Sequence, residues 1–501
     1  MCYEIVKRAK RYKDQVAVYS EGEAWKYGSI IHRAQHFATL LLGQKEDLAE
    51  ARVAFMVNPA VDYVSVQWAI WIAGGIAVPL CLTYPPPSLD YVIQDTAADF
   101  IVASDEYLPL LEPLCQGERP IRLFSISGMM HSRMFPEKSL PVLNLSRKAM
   151  ILYTSGTTNL PKGVVTTHAN IKAQIEMLHK AWKWEGKDRT LCVLPLHHVH
   201  GIINVVCCSL WVGATCIFFP RFDPKEVVEL LEIPSLTVFM AVPTIYYKLI
   251  TYIEGLSDRR AGEIKGNLLK KRLMVSGSAA LPVSVMEKWY EISGHWLLER
   301  YGMTEIGMAI SNPYRRGKRK PGFVGLPLPT VEIRLVAEDG KEIKGEPGEI
   351  QVKGPAVFQE YWRRKEATEE SFTEDGWFKT GDTAVLLDGY YKILGRTSID
   401  ILKSGGYKIS AIEIEEVLRQ YEGVDDCSVV GFPDDEWGEL VCAAIIRKEN
   451  TMINPDVFLQ WLLERLPKYK IPRRIKWVDN LPRNAMGKVT KKDLIPLFEN
   501  I

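Results

Sequence analysis

The stretch Ile151-Leu152-Tyr153-Thr154-Ser155-Gly156-Thr157-Thr158-Asn159-Leu160-Pro161-Lys162-Gly163 runs from an apolar, strand-like segment into a loop crowded with hydroxyls, glycine and lysine. Backbone N–H groups freed by the turn, the hydroxyls of Thr154, Ser155, Thr157 and Thr158, and the Lys162 cation together oppose several phosphate charges, so the stretch reads as a triphosphate cradle. It is not a Walker A loop: the Gly-x4-Gly-Lys-Ser/Thr spacing is absent, Pro161 stiffens the turn before Lys162, and Gly163 lets the chain leave it. Taken alone, such a stretch is equally a plain Ser/Thr/Gly turn.

Around this loop, short β-branched or apolar runs alternate with helical periodicity. Residues 51–57, 76–80, 100–103, 150–153, 214–219 and 272–275 read as buried parallel strands under covering helices. Beyond about Pro329 the texture turns to strand-and-turn, as in Val331-Glu332-Ile333-Arg334-Leu335, which predicts a small β-rich subdomain closing the large one. After Gly395-Arg396 comes a last unit of about a hundred residues, the size of a separate domain. The expected fold is therefore α/β: a body over residues 1–395 with two doubly wound sheets and a β-barrel-like subdomain, then a small α+β lid over 396–501.

With 501 residues the chain exceeds a single ordinary core, leaving room for a cleft between domains. Lys+Arg 62 against Asp+Glu 61 gives a net charge of +1, so no global field attracts nucleic acid, and small-molecule partners are expected. Nine cysteines are scattered without a Cys-x-x-Cys pair and read as reduced core thiols. The apolar run Ile202–Phe219 is broken by Asn204, Ser209, Gly213 and Thr215, and reads as a buried helix and strand, not a membrane span. Three histidines crowd Leu194-Pro195-Leu196-His197-His198-Val199-His200-Gly201, yet no cysteine pair completes a zinc set.

Four further motifs follow the loop: Tyr301-Gly302-Met303-Thr304-Glu305, Gly376-Trp377-Phe378-Lys379-Thr380-Gly381-Asp382, Gly395-Arg396, and Pro482-Arg483-Asn484-Ala485-Met486-Gly487-Lys488. In this order they resemble the adenylate-forming family of acyl-CoA synthetases, luciferases and peptide-synthetase adenylation domains, over nearly the whole chain. The phosphate loop matches the family pattern except at Asn159, a residue that tolerates positive φ.

The resemblance implies ATP and Mg²⁺ as cofactors and CoA as co-substrate for activation of a carboxylic acid through an acyl-adenylate. It implies that Thr154 to Lys162 (Thr154, Ser155, Gly156, Thr157, Thr158, Asn159, Leu160, Pro161 and Lys162) hold the phosphates, and that Thr304 touches the α-phosphate. Glu305 then holds Mg²⁺ through a hard carboxylate oxygen. Asp382 and Arg396 hold the ribose, Ser278 and Tyr301 line the nucleotide site, and His198 stands beside the acyl pocket. Lys488 meets carboxylate and nucleotide during adenylation. A lid rotation then brings Gly405 and Gly406 to the CoA channel; the hinge is expected near Thr397-Ser398, although Asp400 stands one position later than the family's charged residue.

Arg300 precedes Tyr301 at the expected floor of the acyl pocket, where a guanidinium needs an anionic partner, so an acid with a second carboxylate is expected, with His200 assisting. Leu194–Gly201, Glu299–Glu305 and Ser311-Asn312-Pro313-Tyr314 resemble the malonyl-CoA synthetase branch. The alternatives are an Arg300–Glu299 ion pair in a medium-chain or other fatty acyl-CoA synthetase, and a non-catalytic nucleotide-binding protein. The resemblance also implies the mitochondrial matrix; a native start at Met1 implies the cytoplasm, since residues 1–14 are basic but lack a secretory apolar core. The oligomeric state is left open.

Overall fold

The computed structural model describes residues 4–116, 121–132, 139–154, 161–219, 221–405, 407–449, 451–483 and 488–499. The body holds two large mixed sheets. In the nine-stranded sheet, parallel strands follow the order Leu298–Met303, Leu273–Ser276, Val238–Ala241, Arg189–Cys192, Thr215–Phe218 and Val16–Ser20, with antiparallel strands at both edges. In the seven-stranded sheet, five parallel strands run from Lys148–Thr154 through Ile76–Pro79, Arg52–Met56 and Phe100–Ala103 to Arg122–Ser125. Runs such as Phe100-Ile101-Val102-Ala103 are buried at every position, as strands covered on both faces must be.

A five-stranded antiparallel sheet, Glu342–Ile343 to Tyr390–Arg396, caps the body. The last unit pairs Val424–Asp434 with Gly438–Arg447, flanks them with Ile401–Ser404, Tyr407–Ser410 and Arg474–Trp477, and lays the helix Ala411–Leu418 on its own apolar core. The run after His200 is a π-helix, His200–Cys207, continued by Cys208–Trp211 and, past Gly213, by the strand Thr215–Phe218. Among the described residues no helix is long and apolar enough to cross a membrane. Eight described cysteines are free thiols, all but Cys115 buried.

Candidate functional site

The phosphate loop joins two antiparallel strands, Lys148–Thr154 and Lys162–Thr167, with Thr154 opposite Lys162 in register. Ser155 to Leu160 lie outside the described residues, but both ends of the loop are clamped. Tyr91 Oη donates to Pro161 O at 2.7 Å, and Tyr153 Oη to Asp95 Oδ2 at 2.6 Å. The other oxygen of Asp95 accepts from Arg364 Nη2 at 2.6 Å. The Lys162 ammonium lies 5.0 Å from the Tyr361 ring centroid, within cation–π range.

Leu298–Met303 and Gly307–Ser311 form a hairpin whose turn carries Thr304 and Glu305. Glu305 is buried, and desolvation raises its pKa. Tyr361 Oη, donating to Oε1 at 3.0 Å, opposes that rise. Tyr301, on the same strand as Arg300, donates through its hydroxyl to Asp382 Oδ2 at 2.6 Å; Asp382 Oδ1 lies 3.1 Å from Arg396 Nε across the pair Phe378–Leu387 and Tyr390–Arg396. Burial raises the Asp382 pKa, and the charges of Arg396 and Lys488 and the Tyr301 hydrogen bond oppose it.

Arg300 is 4% exposed, and among the described residues no carboxylate pairs with it. Glu299 turns away: neighbours on a strand point to opposite faces, Glu299 Oε1 accepts from Leu281 N at 3.3 Å, and burial lifts its pKa to about 8, leaving it largely protonated at neutral pH. The guanidinium instead donates through Nη2 to Ser278 Oγ at 3.1 Å, and that oxygen lies 3.0 Å from His200 Nδ1. Ser278 itself sits in the left-handed region, at φ +72°. Burial, then the Arg300 charge, hold His200 well below the usual imidazole pKa, so it is neutral. A Ser278 hydroxyl that accepts from Arg300 and donates to His200 Nδ1 would leave the ring proton on Nε2. His200 Nε2 and Arg300 Nε are buried and have no protein hydrogen-bond partner among the described residues.

The His197 and His198 rings lie 4.0 Å apart at a tilt of 52°, and His197 also packs against Tyr84. Burial lowers the pKa of His198 to about 3, with His197 and Lys488 adding to the effect. Lys488 keeps solvent access, yet desolvation of its ammonium and the charge of Arg396 push its pKa down while Asp382 pulls it up. The Lys488 charge thus acts on His198 and Asp382, and those of Arg300 and Arg396 act on Lys488, so the last unit turns this lysine towards the same side of the body. Gly405, at φ +56°, packs against the Trp437 ring, which stands 2.9 Å from where a Cβ would be; Gly406 lies outside the described residues. Among the described residues no group of three or more metal-binding side chains occurs, so a cation here would rest on Glu305 and ligand oxygens.

Sequence reading missed Tyr361 and the Asp95 clamp. Tyr361 lies 56 residues from Glu305 and reaches it only because Glu360–Tyr361 pairs with Lys162–Thr167. No local pattern marks it.

Comparison with known proteins places the whole chain. The malonate–CoA ligases ACSF3, mitochondrial, of Xenopus laevis and Homo sapiens are 43% and 42% identical, covering 99% and 98% of this chain and 92% and 91% of their own. The crystal structure of ATP-bound MatB from Rhodopseudomonas palustris superposes with a TM-score of 0.91 at 32% identity, over 100% of this chain and 99% of that one. The AMP-binding enzyme family matches residues 5–362 and its C-terminal domain residues 413–488, and the chain belongs to the AMP-binding enzyme family.

Proposed function

We propose that this protein is an AMP-forming malonate–CoA ligase: malonate attacks the α-phosphorus of ATP to give malonyl-AMP and pyrophosphate, and the CoA thiol then displaces AMP. One observation carries the choice of acid. Arg300 is a buried cation with no carboxylate at ion-pair distance among the described residues, and a buried charge without a partner costs several kcal/mol. A second carboxylate on the substrate supplies the missing anion, received by Arg300 and by the Nε2–H of His200. The apolar tail of a fatty acid leaves both donors unsatisfied, which disfavours the fatty acyl-CoA synthetase reading.

The remaining residues divide the chemistry. The body, over residues 1–395, binds ATP through the clamped phosphate loop, and Asp382 and Arg396 hold the ribose hydroxyls. Glu305 fits Mg²⁺, being a buried carboxylate whose charge needs a cation; when bound, the ion neutralises charge on the phosphate oxygens. Thr304 contacts the α-phosphate. Lys488, on the lid over residues 396–501, places its ammonium where carboxylate and α-phosphate meet, because crowding two anions is the main barrier to adenylation. Neutral His198 lines the acyl side without adding charge. Gly405 and Gly406 border the CoA arm in the second step. The mitochondrial matrix is inferred as its location from the Xenopus and human relatives.

The test is CoA- and ATP-dependent AMP release with malonate, methylmalonate, succinate, acetate and octanoate at equal concentration. Malonate or methylmalonate should lead. Octanoate in first place would replace the reading.

A further inference from the structure

Lys488 stands on a loop whose two feet are closed by a short antiparallel clip: Thr490 N donates to Pro482 O at 2.9 Å, and Arg483 bridges Val489. Both feet end in one line of alternating charges. On one side, Arg483 pairs with Asp426, and Asp426 Oδ1 accepts from Arg419 Nε at 3.2 Å. On the other, Lys491 Nζ lies 2.6 Å from Asp400 Oδ1 and 2.8 Å from Glu415 Oε1. Arg419 Nη2, 3.6 Å from Glu415 Oε2, joins the two halves. Glu415 is itself fixed, accepting from Val429 N at 2.8 Å.

The line also leaves the lid. Asp400 Oδ2 accepts the backbone N–H of Arg396 at 2.9 Å, and Arg396 holds Asp382 in the cleft. Asp400 lies close over Gly395, where a Cβ would come within 2.3 Å of the Asp400 Cβ. The foot of the Lys488 loop is thus tied through two side chains to the strand that carries Arg396. A lysine used only for lid stability needs no partner on that strand side, and Glu415 alone would satisfy it.

We infer that Lys491, acting through Asp400, is a positioning residue for adenylation: it fixes the loop so that the Lys488 ammonium reaches the reacting carboxylate and α-phosphate. Without the Lys491 cation, Asp400 and Glu415 face each other as like charges in a poorly hydrated pocket and separate, and the loop foot moves with them. This inference rests on the adenylation role proposed for Lys488. It also gives a definite role to Asp400, whose place in the sequence departs from the family pattern, as the anchor of the loop.

The experiment measures two half-reactions in the full-length protein: pyrophosphate release in single-turnover malonyl-AMP formation, and malonyl-CoA formation from supplied malonyl-AMP. Misplacement of a reacting group by an ångström costs on the order of 10²-fold, so Lys491→Gln should slow adenylation by about 10- to 100-fold while CoA transfer stays within about twofold. Lys491→Arg, keeping the cation, should restore most of the loss. If Lys491→Gln fails to fold, Asp400→Asn serves in its place: it keeps an acceptor for the Arg396 N–H and removes the charge, and it too should slow adenylation alone. Equal slowing of both steps, or adenylation at the wild-type rate, would overturn the inference. Lys488→Ala, run alongside, separates the two ideas. Loss of adenylation in Lys488→Ala beside full adenylation in Lys491→Gln overturns this inference alone, whereas normal adenylation in Lys488→Ala overturns the underlying role as well.

Discussion

The backbone of Gly277 lies against the guanidinium of Arg300, so closely that a Cβ on Gly277 would stand 2.5 Å from both Cζ and Nε of that side chain. The turn between the strand Leu273–Ser276 and Ser278 is therefore one wall of the slot that holds the buried cation. A small residue here is required by the arginine, not by the turn's own dihedral angles.

Gly277→Ala should displace Arg300, the side chain its Cβ would meet. The expected outcome is a fall of about tenfold or more in kcat/KM for malonate, as for misplacement of a substrate-positioning group, with the KM for ATP little changed. Steady-state kinetics with each substrate varied in turn measures this. An equal rise in both KM values would show a general loss of structure.

Tyr361→Phe removes the hydrogen bond that favours the ionised form of Glu305. The Glu305 pKa, already raised by burial, then rises further, so at acid pH the carboxylate is protonated more often and holds Mg²⁺ less well. The acid limb of the pH–rate profile should move to higher pH, and the Mg²⁺ concentration for half-maximal rate should increase. A Mg²⁺ titration at pH 6 and pH 8 checks both. An unchanged profile would separate Glu305 from the cation.

His168 and His295 are buried and neutral: desolvation, with Arg147 and Arg316 respectively, lowers their pKa values to about 3 and about 4. The unfolded chain binds these protons near pH 6.5, so the stability each contributes is complete above 6.5 and is lost as pH falls towards the folded value. Each group adds a slope of about 1.4 kcal/mol per pH unit in that window. Urea unfolding of the wild type and of His295→Gln at pH 7.5, 6 and 5 should show the stability difference between them changing by one such slope below pH 6.5.

Much of this arrangement is legible in the sequence where the chemistry is local. The order of Tyr301, Glu305, Asp382, Arg396 and Lys488 is written in short motifs, and Arg300 announces itself as a cation in an apolar strand beside Tyr301. What is not legible depends on pairing at a distance. Tyr361 meets Glu305, Tyr153 meets Asp95, and Lys491 meets Asp400 only after sheets have closed, and none sits in a pattern that fixes its partner. The π-helical turn at His200–Cys207 is likewise silent, since its composition differs little from any buried helix. Glu299 shows the converse: adjacent to Arg300 in sequence, it faces the other way in the strand.

Lys488→Ala should abolish malonyl-AMP formation, because removing one preorganised cation at the developing charge typically costs about 10²–10³ in rate. Transfer to CoA from supplied malonyl-AMP should remain, since the carboxylate and α-phosphate have by then already been joined and the lysine is no longer needed. Stopped-flow assays of the two steps distinguish this from a folding defect, which slows both.

The most direct measurement of the central claim is the ratio of kcat/KM for malonate to that for octanoate, in the wild-type protein and in Arg300→Leu. A site built to pair a polar group discriminates by up to about 10⁴-fold, so the ratio should be large in the wild type and should collapse or invert once the guanidinium is gone. A malonate kcat/KM that falls by much less than tenfold in Arg300→Leu would contradict the account, since Arg300 would then be serving the fold and not the distal carboxylate.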